Sequence, residues 1–266
     1  MSSPPPLTRL LPSLQALALV VALLLAATAL AGLLFPSALY PTEALRQAFL
    51  ANDVVNLLIG LPILLGSVWA ARRGRLLGRL VWPGALFYTL YNASAYAVAL
   101  APAAPFLAYL ALAALSAFGV FRWVTSLDAP AVQRQLAGRV PEQLAGGVLA
   151  GLGSLFCLRA LSQVVSAPTG PELGVLVADL LTTPWWVIGG ILLWRRQALG
   201  YAAGLGLLFQ GSLLFVALLV FFLLQPLVTA APFALTDFVV IAVMGLACFV
   251  PFGLFLRGVQ KSATVD

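Results

Sequence analysis

The sequence predicts an all-α integral membrane protein of eight transmembrane helices with both termini on the cytoplasmic side, and three observations predict it. Hydrophobic residues fill 62% of the 266 positions, charged residues only 8%, and the mean hydropathy is +1.07. A water-soluble domain is about half apolar and a quarter charged, so this chain buries its surface in lipid. The apolar runs are about twenty residues long and uniformly apolar, as helices require; barrel strands would be about ten residues long and alternating. Finally, the 14 basic residues fall almost entirely on one side of the hydrophobic pattern.

The expected spans are Leu14–Leu34, Ala48–Ala71, Leu80–Leu100, Phe106–Val124, Leu144–Ser166, Leu173–Trp194, Tyr201–Leu224 and Phe233–Leu256. The first follows Arg9. Its basic start, apolar run and Ala29-Leu30-Ala31 also fit a signal peptide, whose cleavage would leave seven spans; the length of the run favours a retained helix. The second opens beyond Pro36 and Pro41, contains Pro62, and exits at Arg72, Arg73, Arg75 and Arg79. The third is the most polar, with Tyr88, Asn92 and Tyr96 at i, i+4 and i+8 and Tyr91 beside them. The fourth begins beyond Pro102 and Pro105 and ends near Arg122.

A loop over 125–143 follows, carrying Arg134 and Arg139. Asp128 before Pro130 reads as a helix start, Val132 and Leu136 share a face, and Gly138 with Pro141 reads as a stop. The segment is either a short interfacial helix or a solvated connector. The fifth span carries Gly147 and Gly151 in a GxxxG spacing, a packing device most simply used within one chain, and Arg159. The sixth follows Pro168 and Pro171, contains Asp179 and Pro184, and exits at Arg195 and Arg196. The seventh opens on Gly200 and Gly204, and the eighth lies beyond Pro226 and Pro232, with Asp237 near its start and Arg257 and Lys261 after it.

In this arrangement every Lys and Arg except Arg46 and Arg159 sits on one face, and the proline-bearing connections sit on the other. By the positive-inside rule the arginine face is cytoplasmic. Trp82, Trp123 and Trp194 are expected at that interface as an aromatic belt. The chain is a single polytopic domain, 1–266, whose halves, 14–124 and 144–256, suggest a 4+4 parallel repeat about an axis along the membrane normal. Asp53, Pro62 and Arg72-Arg73 in span two are echoed by Asp179, Pro184 and Arg195-Arg196 in span six, although the Asp-to-Pro spacings differ.

Several chemistries are excluded. Histidine is absent, which removes imidazole haem ligation, His-based zinc sites and Ser-His-Asp catalysis. The single lysine, Lys261, lies in the polar tail, away from any intramembrane Schiff base, and no CxxC occurs. Cys157 and Cys248 read as small packing residues. The net charge of +6 belongs to topology and lipid headgroups, not nucleic acid. No cofactor and no metal site is expected.

Ionisable groups within spans are costly and by default functional. Asp53, Arg159, Asp179 and Asp237 all fall in the extracytoplasmic third. Asn56 shares a face with Asp53, Gln163 lies four residues beyond Arg159, and Thr183 four beyond Asp179, while Tyr88 and Asn92 lie at the same depth on span three. These residues are expected to line one outward-facing pocket, with Arg159 pairing Asp53 or Asp179 through its planar fork. One cation cannot neutralise three carboxylates, and proton exchange on a carboxyl in such a cavity is what proton-coupled transport needs. Bland readings stand beside this one: Asp53, Asp179 and Asp237 as acids meeting the helix dipole and headgroup water, Arg159 snorkelling outward, the tyrosines as a belt.

Three function classes follow. A small-solute or ion transporter, proton-coupled or not, would use the polar set as its centre. A membrane-embedded enzyme would act on lipid headgroups through paired carboxylates. A non-catalytic assembly or sensor component would present the 125–143 loop. The partners expected are the lipid bilayer of the cell membrane and a small solute, proton or lipid headgroup.

The stretches ANDVVNLLIGLPILLGSVWAARRG, RLVWPGALFYTLYN and ADLLTTPWWVIGGILLWRRQALGY resemble a family of bacterial and archaeal multipass membrane proteins with no assigned function. The resemblance implies a multipass architecture over most of the chain beyond span one, and no activity.

Overall fold

The computed structural model describes residues 12–100, 102 and 104–262, and all regular structure among them is helical. Arg9 lies outside the described residues. The order is α1 (Pro12–Leu34), α2 (Pro36–Leu39), α3 (Glu43–Val55), a π-helical turn (Asn56–Gly60), α4 (Leu61–Arg72), α5 (Leu76–Ala99), α6 (Ala104–Ser126), α7 (Ala129–Leu136), α8 (Glu142–Val164), α9 (Gly170–Trp194), α10 (Ala198–Val228) and α11 (Leu235–Ser262). Seven helical rods among the described residues are long and apolar enough to cross a membrane; α3, the π turn and α4 form one of them, 30 residues long. This is a multipass membrane protein by length and composition. Leu23, Leu58, Leu107, Leu158 and Val243 stand outward, as lipid contact demands.

The expected third span corresponds to α5, which is not among the seven. The reason lies in its composition: Tyr88, Thr89, Tyr91, Asn92, Ser94 and Tyr96 dilute its apolar residues. The fold shelters it accordingly, burying both faces from Leu80 to Ala97 against α4, α6, α9 and α10. Polar side chains that lipid would penalise are thereby matched with protein partners.

Local chemistry explains the irregular elements. Thr42 caps α3 by accepting from the Leu45 amide at 3.3 Å, and Glu43 favourably occupies the first turn. Pro62 cannot donate a backbone bond and its ring crowds the carbonyl four residues back, so the chain widens into the π turn just before it. Asp128 caps α7 through the Ala131 amide at 3.0 Å, and Gly138 adopts φ +72 just beyond it.

α7 is therefore a helix, as the spacing predicts, and one face of it docks on the bundle. Ala129, Val132 and Leu136 are buried against protein, chiefly α10, and Gln133 Nε2 donates to the Arg196 carbonyl at 2.7 Å. Trp82 and Trp123 depart from expectation: both are buried in the core, and of the three only Trp194 is exposed. The Gly147–Gly151 motif is not the close contact of α8. Gly151 faces open space, whereas a Cβ at Gly146 or Gly153 would run into the backbone of α9. These glycines let α8 and α9 approach closely.

α5 and α10 cross at the middle of the bundle, where Gly84 abuts the Gly206 carbonyl. The ends of the rods sort consistently. Arg139 packs on Gly258 near the end of α11, and α7 touches the α9–α10 turn. At the opposite end, Gln225 Nε2 of α10 donates to the Gln47 carbonyl of α3 at 3.1 Å.

Candidate functional site

Two networks of buried polar side chains lie on different faces of α5. The first surrounds Asp53, whose carboxyl is buried. Tyr40, set by the short α2, donates to Oδ2 at 2.8 Å, and Tyr96 of α5 donates to Oδ1 at 2.8 Å. Tyr40 has spent its only proton on Asp53, so the Tyr109 hydroxyl from α6, 3.4 Å away, donates to it. Asn52 Nδ2 donates to Tyr96 Oη at 3.1 Å and to Asn92 Oδ1 at 3.0 Å. Asn92 in turn donates to the Tyr88 carbonyl at 3.1 Å, and the Tyr88 hydroxyl donates to Asn56 Oδ1 at 3.2 Å.

Rings enclose the acid. Phe49 stacks on Tyr96 with centroids 4.1 Å apart, and Tyr96 stacks on Tyr109 at 4.6 Å. Gly32 of α1 closes the remaining side: a Cβ there would collide with Asp53 Oδ2 and the Tyr40 hydroxyl. Both carboxyl oxygens thus have a donor, as a buried carboxyl needs. Directly beneath, the π turn begins at Asn56; such bulges frequently mark functional positions.

The second network surrounds Asp179 on α9. Tyr91 donates to its Oδ1 at 3.0 Å. The Thr183 hydroxyl donates to its carbonyl at 2.8 Å, leaving Cys157 Sγ of α8, 3.0 Å from Thr183, as the donor to that hydroxyl. Arg159 approaches from α8, but Nη1 stands 3.9 Å from Oδ2, at the outer limit of an ion pair. Oδ2 is buried and accepts no hydrogen bond among the described residues. The side-chain exposures are lopsided, 48% for Arg159 and 5% for Asp179. Arg159 therefore joins a buried acid to an open groove of about 300 Å³ also lined by Gln163, Ser166, Glu172 and Val175.

The sequence expected one pocket. The structure brings Asp53 together with Asn56, Tyr88 and Asn92, and separately brings Asp179 together with Arg159 and Thr183, with Gln163 at the groove. Arg159 pairs with Asp179 and not with Asp53, whose oxygens are taken by tyrosines. Asp237 joins neither group; it sits exposed in the first turn of α11, where an acid meets the positive end of the helix dipole. Tyr40, Tyr109 and Cys157 belong to the networks although the sequence did not single them out as ligands. Their only signal was position: both tyrosines lie near helix ends away from the arginine-bearing turns, and nothing in their spacing marks a buried role. Cys248, by contrast, is the packing residue expected, buried beside Ser212 and Gly211.

Chemically, the first network is a closed relay of hydroxyls, amides and a carboxyl. The second is an acid with one unused acceptor atom behind a half-exposed guanidinium. Among the described residues, no three His, Cys, Asp or Glu side chains gather as metal ligands. Compared with known proteins, the chain matches no family model, no curated protein and no solved structure.

Proposed function

We propose that this protein is a small-solute or ion transporter of the cell membrane, linked to proton movement, with its polar centre on α5. The observation that carries this reading is Asp179: a carboxyl buried in an apolar bundle, held by Tyr91, with Oδ2 turned to an arginine that opens on a groove. An acid kept in that setting only for packing would be expected to have both oxygens satisfied, as Asp53 has. Intramembrane acids that pair loosely with a solvent-accessible cation are the ordinary furniture of ion and proton pathways.

The reading takes α5 as an eighth span. Its 24 residues reach about 36 Å at 1.5 Å per residue, enough for a hydrocarbon core of about 30 Å. Parity then puts both termini on the arginine-rich, cytoplasmic side. A 4+4 repeat is favoured by matching glycines. Gly78 in α5 and Gly200 in α10 each lie at the third helical position and press on the end of the preceding helix, at Ala70–Ala71 and Leu192–Leu193. Six residues further on, Gly84 and Gly206 meet each other at the crossing. In this reading a pseudo-two-fold axis through that crossing would relate the halves.

An enzyme with paired carboxylates is less favoured, because Asp53 and Asp179 are engaged by different tyrosines and, among the described residues, share no hydrogen bond or bridging side chain. The decisive experiment is proteoliposome flux: purified protein, an internal pH-sensitive dye and an imposed pH gradient, with candidate solutes added outside. Solute-dependent proton movement that Asp179→Asn abolishes is the expected result. Indifference of that movement to Asp179→Asn and Asp53→Asn alike would overturn the proposal.

A further inference from the structure

We infer that the groove between the end of α8 and the beginning of α9 binds a small zwitterion, a protonated amine and an anionic oxygen group in one compact head. This names the substrate class of the proposed transport site and so rests on that reading. The Arg159–Asp179 ion pair is unusually widely spaced. An arginine and a carboxylate held together for structure close to about 2.7–2.9 Å and tend to engage two bonds in parallel. Here the fork stands off at 3.9 Å, and Oδ2 has no other donor among the described residues. The half-exposed guanidinium is thus available to a carboxylate or phosphate in the groove, and Oδ2, buried behind it, would gain its missing donor from an ammonium that reaches past Arg159.

Neighbouring side chains extend the same polarity outward. Arg159, Gln163 and Ser166 follow one another at i, i+4 and i+7 on α8, and Glu172, Val175 and Asp179 at i, i+3 and i+7 on α9. Arg159, Gln163 and Ser166 line one wall of the groove and Glu172 and Val175 the other, cationic and neutral-polar facing acidic, with Asp179 buried behind Arg159. A ligand of a single sign would satisfy one wall and confront the other with like charge. A zwitterion satisfies both and leaves the net charge of the site unchanged, which matters where the surroundings are lipid. The volume of about 300 Å³ is at the small end of ligand sites, matching a compact head and not a large ligand.

Such a head has two sources, a free solute in the outer medium or the ethanolamine-phosphate headgroup of an outer-leaflet lipid. The test uses the full chain in nanodiscs of phosphatidylglycerol, which has no amine, titrated calorimetrically with glycine, O-phosphoethanolamine, acetate, inorganic phosphate and ethylammonium. Glycine or O-phosphoethanolamine should bind at least about tenfold more tightly than any single-charge probe, since two charge-assisted contacts replace one. Arg159→Gln and Asp179→Asn should each weaken zwitterion binding by roughly tenfold or more, Arg159→Lys by less, and Asp237→Asn not at all. The comparison among probes on the unaltered protein stands even if one variant misfolds.

Enrichment of phosphatidylethanolamine over phosphatidylglycerol in mixed nanodiscs, erased by Arg159→Gln and by Asp179→Asn, would assign the head to lipid. Acetate or phosphate binding as tightly as the zwitterions overturns the inference. So does zwitterion binding that survives Asp179→Asn, or the absence of both solute binding and lipid enrichment. Zwitterion binding without flux would overturn the transport reading alone, and flux indifferent to Arg159→Gln would overturn this inference alone.

Discussion

Removing the Tyr40 hydroxyl tests whether the enclosed acid organises the half of the bundle opposite the arginine-bearing turns. Tyr40→Phe keeps the ring, and with it the Phe49 contact at a centroid distance of 5.6 Å, while deleting one of two donors to Asp53. A hydrogen bond to a charged acceptor contributes about 1.5–3 kcal/mol in water-soluble proteins. Hydrogen bonds between transmembrane helices average only about 0.6 kcal/mol and reach about 1.7, because the separated helices find other partners. The Tyr40–Asp53 bond is short and fully enclosed, so the upper part of that range applies, about 1.5 kcal/mol. The measurement is a double-mutant cycle of Tyr40→Phe with Asp53→Asn, reading unfolding free energy in bicelles by steric trapping. Asn preserves the shape of Asp53 and one acceptor, so the cycle isolates the bond to Oδ2. A coupling below about 0.5 kcal/mol would refute the account of Asp53 as the hub. Tyr96→Phe should cost more than Tyr40→Phe, since Tyr96 Oη also accepts from Asn52 and lies 3.3 Å from the Phe49 carbonyl.

Other expectations follow from the packing. Gly84→Leu should abolish stable folding, because its side chain would have to displace the backbone of α10 at Gly206; Gly151→Ala, facing open space, should be neutral or stabilise by about 0.5–1 kcal/mol, as thermal melts in detergent can compare. Leu136→Ala should destabilise by about 2–5 kcal/mol and raise protease cleavage between α6 and α8, since Leu136 is fully buried on the face by which α7 docks. After replacement of Cys157 and Cys248 by Ser, a cysteine at Arg75 should be labelled by an impermeant maleimide only from the cytoplasmic side, and one at Ser166 only from outside. The opposite pattern would reverse the orientation of the proposed site.

The sequence by itself determined the class of the molecule. Apolar runs of helical length leave a chain no way to satisfy its backbone in lipid except by helices, and the arginine-bearing joints at 72–79 and 195–196 mark one end of the rods without reference to any contact. It also located the costly residues, since Asp53, Arg159 and Asp179 stand out in spans where charge is rare. The same simplicity misled at Trp82, because an aromatic beside an arginine cluster looks interfacial whether it faces headgroups or the bundle.

Only the tertiary structure decided which groups meet. Helical periodicity gives the face on which Asp53 or Asp179 projects but not the rotation of that face relative to α5, and that rotation divided one expected pocket into two networks. Tyr40 reaches Asp53 through the corner formed by α2, a piece too short to have a periodicity. Arg159 and Asp179 meet because α8 and α9 pack closely along Gly146 and Gly153, a contact between helix backbones that spacing within one helix does not reveal. Composition and spacing are properties of one helix at a time; the site is a property of how several of them pack.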